Sequence, residues 1–254
     1  MNGIGTISII MAAYNAEKTV AASVQSVMRQ TYADWELLLI DDCSTDRTGE
    51  IAEAFAAQDP RIRVLHNPVN SGVSKTRRAG VDASSGAWLA VLDSDDLWQS
   101  DKLQKQVQTA LIEDADLICT GSSFIDEEGA PYEWVLHVPR QITYRQLCFQ
   151  NIISNSSVLV KKDVFLANCL EREDIHEDFA CWLNVLKNDG KAVGIDEPLL
   201  IYRISRASRT GNKFRSALRN WRTYRAVGMA VPKALVCETG YMIKGVLKYK
   251  NIKG

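Results

Sequence analysis

The 254-residue chain is short of several things, and each shortage removes a class of function. No stretch approaches the roughly 20 consecutive apolar residues of a membrane-crossing helix, so no span is expected. The six cysteines (43, 119, 148, 169, 181 and 237) include no CxxC pair, and the three histidines (66, 137 and 176) stand at no zinc-finger spacing. Scattered thiols of this kind read as reduced, buried residues of a cytosolic protein rather than as a metal centre or a disulfide framework. The opening "MNGIGTISIIMAAYN" has no basic segment ahead of its short apolar run, so it reads as a strand and not as a secretory leader. Low-complexity segments and internal repeats are absent.

What is there is globular in character. Hydrophobic residues make up 46% and charged residues 24%, enough for a sizeable core in one large or two small units. The formal charge of −1 conceals an asymmetry. From Lys213 to Gly254 there are ten Lys/Arg and one acid, Glu238, a net +9, which leaves −10 on the remainder.

Hydrophobic periodicity sets out the architecture. "TISIIMAAY" (6–14), "WELLLID" (35–41), "IRVLHN" (62–67) and "AWLAVLD" (87–93) are apolar runs of the length and continuity of strands buried on both faces. Between them lie helical stretches, among them Val20, Val24, Val27 and Met28 at i, i+4, i+7, i+8 and "VSKTRRAGVDAS" (73–84). Four alternations predict an α/β fold, a mainly parallel sheet with helices on both faces. Further on, "ADLICTGSSFIDEEG" predicts a strand and hairpin, "HEDFACWLNVLKNDG" a helix, and "KAVGIDEPLLIYRIS" a final strand pair. Ligands of such sheets bind beyond the carboxyl ends of the strands. Tyr14 and Asn15 follow the first strand, Asp41 and Asp42 the second, and Asp93, Asp95 and Asp96 the fourth, so all should converge on one crevice. Three carboxylates in four positions repel one another unless something positive sits among them.

The segments "IIMAAYNAEKTVAASVQSVMRQTYADWELLLIDDCSTDRT", "NSGVSKTRRAG", "LAVLDSDDLW" and "HEDFACW", in that order, resemble family 2 glycosyltransferases of the inverting GT-A type, over about residues 5–205. The resemblance implies a Rossmann-like GT-A catalytic domain over 1–210, with a nucleotide-binding half (1–100) and an acceptor-binding half (101–210), followed by a basic helical tail over 211–254. It implies a nucleotide-sugar donor, most simply a UDP-sugar. Carboxylates do not bind phosphate directly, but a hard divalent cation, Mn²⁺ or Mg²⁺, bridges carboxylate and phosphate oxygens. By resemblance Asp95 is the metal ligand, with Asp93 and Asp96 near the donor sugar and diphosphate. Asp42 matches the carboxylate that accepts from the uracil ring, Tyr14 the aromatic on the base, Ala12 a small pocket-lining residue, and Arg77 a position near the uracil and phosphates. Asp178 matches the general base that takes the proton of the attacking hydroxyl, with Glu177 and Trp182 on the acceptor side. Many relatives carry a histidine after the last strand; this chain has none there, which leaves Arg203, Arg206 and Arg209 as candidate diphosphate contacts.

Other readings are less well supported. A phosphatase built on Asp93-Ser94-Asp95 would need a threonine soon after the pair and an early strand, and a nucleotidyltransferase would need a glycine-rich loop where "AAYNAEK" stands. A non-catalytic nucleotide-sugar or glycan binder is the alternative that "HED" and "DSDD" argue against. The tail mixes basic and apolar residues, as surface-lying amphipathic helices do, and no nucleic-acid recognition motif accompanies it. A cytoplasmic enzyme, peripheral at the inner face of the plasma membrane and acting on a glycan or lipid-linked acceptor, is the expectation.

Overall fold

The computed structural model describes residues 3–204 and 213–252. In chain order these fold as β1 (Ile7–Ala13), α1 (Val20–Met28), β2 (Trp35–Asp41), α2 (Thr48–Ala56), β3 (Ile62–His66), α3 (Val73–Ala83), β4 (Trp88–Val91), β5 (Leu97–Trp98), α4 (Lys102–Glu113) and β6 (Leu117–Ile125). There follow β7 (Pro131–Leu136), β8 (Gln141–Ile142), α5 (Tyr144–Phe149), β9 (Leu159–Lys161), α6 (Lys162–Asn168), α7 (Glu177–Lys187), β10 (Ala192–Arg203), α8 (Lys213–Ala226) and α9 (Val231–Ile252).

The strands form one sheet in the order β3-β2-β1-β4-β9-β6-β10-β5, with β7 paired to β6 and β8 to β10. The half from β3 to β4 is wholly parallel. The second half is mixed: β9 runs antiparallel to both β4 and β6, while β6 and β10 are parallel.

The unbroken apolar runs follow from burial on both faces. In β2, Leu38 and Ile40 enter one core while Leu37 and Leu39 enter the other. The first core is closed by Val81 of α3 and by Phe179, Trp182 and Leu183 of α7. The second is closed by Val20, Val24 and Val27 of α1, Ala52 of α2, and Leu103 and Val107 of α4. Helix α3 approaches the sheet so closely that a Cβ on Gly80 would lie 2.5 Å from Ile40 Cδ1, which explains a glycine within a helix despite its low propensity.

Two expectations are corrected. The predicted strand pair over "KAVGIDEPLLIYRIS" is the single strand β10, whose pairing with β6 shifts register on either side of Pro198. Proline has no N–H to give the ladder, so the strand bulges there and continues. The cysteines are not all free thiols: Cys169 and Cys181 form a disulfide across 12 residues, and Cys43 is exposed, while Cys119, Cys148 and Cys237 are buried and free.

The C-terminal helices pack back on the domain. Tyr224 of α8 is fully buried and donates to the Cys148 carbonyl of α5 at 2.7 Å, and Asn220 donates to Glu238 of α9 at 2.7 Å. Among the described residues no helix is long and apolar enough to cross a membrane.

Candidate active site

Strand β4 delivers its carboxylates into a corner braced from three sides. The Asp93 N–H donates to Ser156 Oγ (3.1 Å), whose hydroxyl donates to Asp96 (2.6 Å). Asp96 also accepts from the Arg203 N–H at 2.9 Å and is almost fully buried. Burial, then the neighbouring Asp95 and Asp93, push its pKa well up, against the pull of these two donors. Asp96 thus joins the β4 exit, β10 and the 3-10 turn Asn155–Ser157.

The Arg203 guanidinium, an expected diphosphate contact, donates to the carbonyls of Asp95 (3.0 Å), Asp126 (3.1 Å) and Glu127 (3.2 Å). It is first of all a staple between the acidic corner and the β6–β7 turn. Arg206 and Arg209 lie outside the described residues.

Asp93 and Asp95 are less deeply buried than Asp96. Asp93 accepts from Arg77 Nη2 at 2.6 Å and from Asn155 at 3.4 Å. Burial and the charge of Asp93 push Asp95 up to about 6, despite the pull of Arg203 and Arg77. So a positive charge does sit among the carboxylates, and it is Arg77, but it does not neutralise them all. Two oxygen-donor carboxylates with negative charge to spare fit a hard divalent cation. Among the described residues no three His, Cys, Asp or Glu side chains gather tightly enough to hold a metal ion by themselves.

Arg77 also reaches the second acidic motif. Its Nη1 donates to Glu177 at 2.8 Å, so one guanidinium from α3 ties the β4 exit to the first turn of α7. Its side chain is 12% exposed. Burial works against its charge, but Asp93, Glu177 and Asp178 together hold it firmly protonated. Next along α7, Asp178 is raised above the ordinary carboxylate range, chiefly by burial and opposed chiefly by Arg77. Trp182, one turn on, is fully buried and packs against Phe165; it is a core residue that lines the floor of a cavity shared with Arg77, Glu177 and Asp178. The Cys169–Cys181 disulfide lines the same cavity.

The β1 and β2 ends form the other part of the crevice. Tyr14 is half exposed and Ala12 half-buried. Asp42 is buried and accepts from Asn67 Nδ2 (2.8 Å) and from the backbone N–H of Ser71 (2.9 Å) and Gly72 (2.9 Å). Burial alone would raise its pKa, but these donors and Thr76 outweigh it and hold it below the ordinary carboxylate range. The carboxylate therefore stays charged and shapes the loop that starts α3. Asp46 accepts from the N–H and hydroxyl of Thr48 at the start of α2.

Three residues of the corner escaped sequence reading. Asn155 and Ser156 belong to a short polar turn with no periodic signal. Tyr202 of β10 lies close enough to Asp96, Asp93, Asp95 and Asp178 for their charges, after burial, to raise its phenol.

The profile of Glycosyl transferase family 2 matches residues 8–173. A curated relative, the UDP-Glc:alpha-D-GlcNAc-diphosphoundecaprenol beta-1,3-glucosyltransferase WfgD of Escherichia coli, is 36% identical over 217 residues, 85% of this chain and 83% of the relative. Among solved structures, S. aureus TarS 1–349 in complex with UDP-GlcNAc superposes with a TM-score of 0.74 at 16% identity, over 93% of this chain and 71% of TarS. The mannosyltransferase PcManGT from Pyrobaculum calidifontis, in complex with GDP-Man and Mn²⁺, gives 0.70 at 13% identity, over 94% and 69%. The fold is the GT-A fold of these enzymes. The chain belongs to glycosyl transferase family 2 and is a glycosyltransferase.

Proposed function

We propose that the protein is a metal-dependent, inverting enzyme that moves a hexosyl or N-acetylhexosaminyl group from a UDP-sugar to a hydroxyl of a lipid-linked, cell-surface glycan precursor. It would do so at the cytoplasmic face of the membrane. The observation that carries this reading is the Arg77 bridge, which holds the donor-side carboxylate Asp93 and the base-bearing turn of α7 on one guanidinium. Relatives support the substrate class: WfgD is named for a UDP-Glc donor and an alpha-D-GlcNAc-diphosphoundecaprenol acceptor.

In this reading Tyr14 packs on the base. Asp42, kept ionised and held rigid, uses remaining acceptor capacity for the uracil N3–H. Asp95, with Asp93 beside it, would hold a divalent cation, which when bound would stabilise the charge that develops on the departing diphosphate. Asp178 takes the proton of the acceptor hydroxyl as that oxygen bonds to the anomeric carbon. The anomeric C–O bond to the diphosphate breaks on the opposite face, its electron pair leaving with UDP. A carboxylate raised by burial is a stronger base than one in water, and Arg77 keeps it from being protonated too readily. Glu177 orients Arg77.

The test is Asp178→Asn, which keeps the shape and removes the base. Transfer should fall by about 10³-fold or more, while UDP binding in the presence of Mn²⁺ stays within about twofold. Retention of wild-type transfer rates by the purified variant would falsify the assignment.

A further inference from the structure

The α8–α9 hairpin has two unlike sides. Its inner side, with Asn220, Thr223, Tyr224, Ala234, Cys237 and Glu238, is buried against the domain and within the hairpin. On the outer side of α9, Leu235 is 54% exposed, Val236 61%, Met242 49% and Ile243 58%. Positions 235, 236, 242 and 243 are two adjacent pairs seven residues apart, so they form one stripe two turns long. Lys233 and Lys244 are exposed beside it. The only acid of the tail, Glu238, is turned inward onto Asn220.

An exposed apolar stripe of this kind marks an interaction surface. Its charge decides the partner. With +9 on 213–254 and −10 on the rest, a self-complementary contact between two copies would set basic tail against basic tail. A surface that is apolar within and anionic at its face suits both the stripe and its lysines. Among the described residues no helix can cross a bilayer, which leaves lying on it.

We propose that the outer face of α9 seats Leu235, Val236, Met242 and Ile243 in the interface of an anionic bilayer, with Lys233 and Lys244 on its headgroups. The seat is mechanically joined to the chemistry: Thr223 Oγ1 of α8 accepts from the His176 N–H at 2.9 Å, two residues before Asp178. A docked hairpin therefore fixes the base-bearing end of α7 at the surface where a lipid-linked acceptor arrives; this last step rests on the catalytic reading above, and the docking itself does not.

The experiment is co-sedimentation of the full chain with phosphatidylcholine vesicles, with and without phosphatidylglycerol. The variants are Leu235→Ser/Val236→Ser/Met242→Ser/Ile243→Ser, Lys233→Gln/Lys244→Gln, and a control, Leu111→Ser/Ile112→Ser, at exposed apolar positions of α4. The wild type and the control should pellet with the anionic vesicles, the four-serine variant about tenfold less, and the lysine variant should lose the preference for phosphatidylglycerol. Thermal unfolding confirms that the variants fold, and transfer to a short-chain, water-soluble acceptor should be unchanged in all of them. Equal pelleting of the four-serine variant and the wild type, no pelleting of the wild type, or a wild-type dimer that this variant converts to monomer overturns the proposal. Failure of the wild type to use any soluble acceptor, with vesicle binding intact, removes the catalytic reading and leaves the docking surface standing.

Discussion

Arg77 and Glu177 sit 100 residues apart in sequence and 2.8 Å apart in space, and the pair is what makes one site out of two acidic motifs. The guanidinium spends its other terminal nitrogen on Asp93 at 2.6 Å. Lysine carries the same charge but not the fork. Arg77→Lys should therefore keep the fold yet lower kcat more than it raises the donor KM. Arg77→Leu leaves clustered carboxylates without their cation and should destabilise the protein by about 2–4 kcal/mol, measured by urea unfolding near neutral pH.

Gly72 stands at φ +85°, gives its N–H to Asp42, and faces the Glu173 carboxyl so closely that a Cβ would lie 2.7 Å from it. Both the left-handed conformation and the close approach exclude a side chain. Gly72→Ala should lower stability by about 1–3 kcal/mol and weaken UDP binding, because the Asp42 loop cannot keep its shape. Calorimetric unfolding and a UDP titration check the two effects separately.

Lys102 is fully buried, bonded to Gln106 Oε1 at 2.8 Å and set over the Trp98 ring at 3.9 Å. Burial drives its ammonium well below the usual lysine range, against an opposing pull from Cys119. The unfolded chain binds this proton up to about pH 10.4 and the folded chain gives it up at lower pH. Folding thus releases a proton in that window, and this residue's contribution to stability rises with pH toward the unfolded value. Lys102→Met should stabilise the protein near pH 7 by about 1–3 kcal/mol and flatten this part of the pH dependence, as read from unfolding midpoints at several pH values.

Ser156 relays between the Asp93 backbone and Asp96, at 3.1 and 2.6 Å. Removing its hydroxyl leaves a buried carboxylate one donor short, so Ser156→Ala should destabilise by about 1–3 kcal/mol. Transfer should fall through a lower kcat, since Asp93 shifts with its backbone. A steady-state kinetic series in the donor reads this directly.

The sequence carried the sheet because helix and strand periods are local properties, and β1, β2 and α3 each show theirs within a dozen residues. It also carried the strand-end acids, because the parallel half of the sheet sends every such end to one side. What it did not carry is long-range or aperiodic. The Arg77 fork joins segments that no spacing rule connects. Asn155 and Ser156 sit in a turn whose polar residues look like any loop. The Cys169–Cys181 disulfide depends on α6 and α7 packing side by side. The inward turn of Arg203 onto three carbonyls depends on where the β6–β7 turn comes to rest.

At the centre of the account stands Asp95, a carboxylate raised to about 6 by burial and by Asp93, and read here as the group that holds a divalent cation against the donor diphosphate. Calorimetric titration of UDP into the wild type and Asp95→Asn, with and without Mn²⁺, measures that claim most directly. The account predicts that Mn²⁺ tightens UDP binding by about tenfold or more in the wild type and leaves Asp95→Asn unaffected. Equal UDP affinity with and without Mn²⁺ in the wild type, or the same Mn²⁺ effect in both proteins, would contradict it.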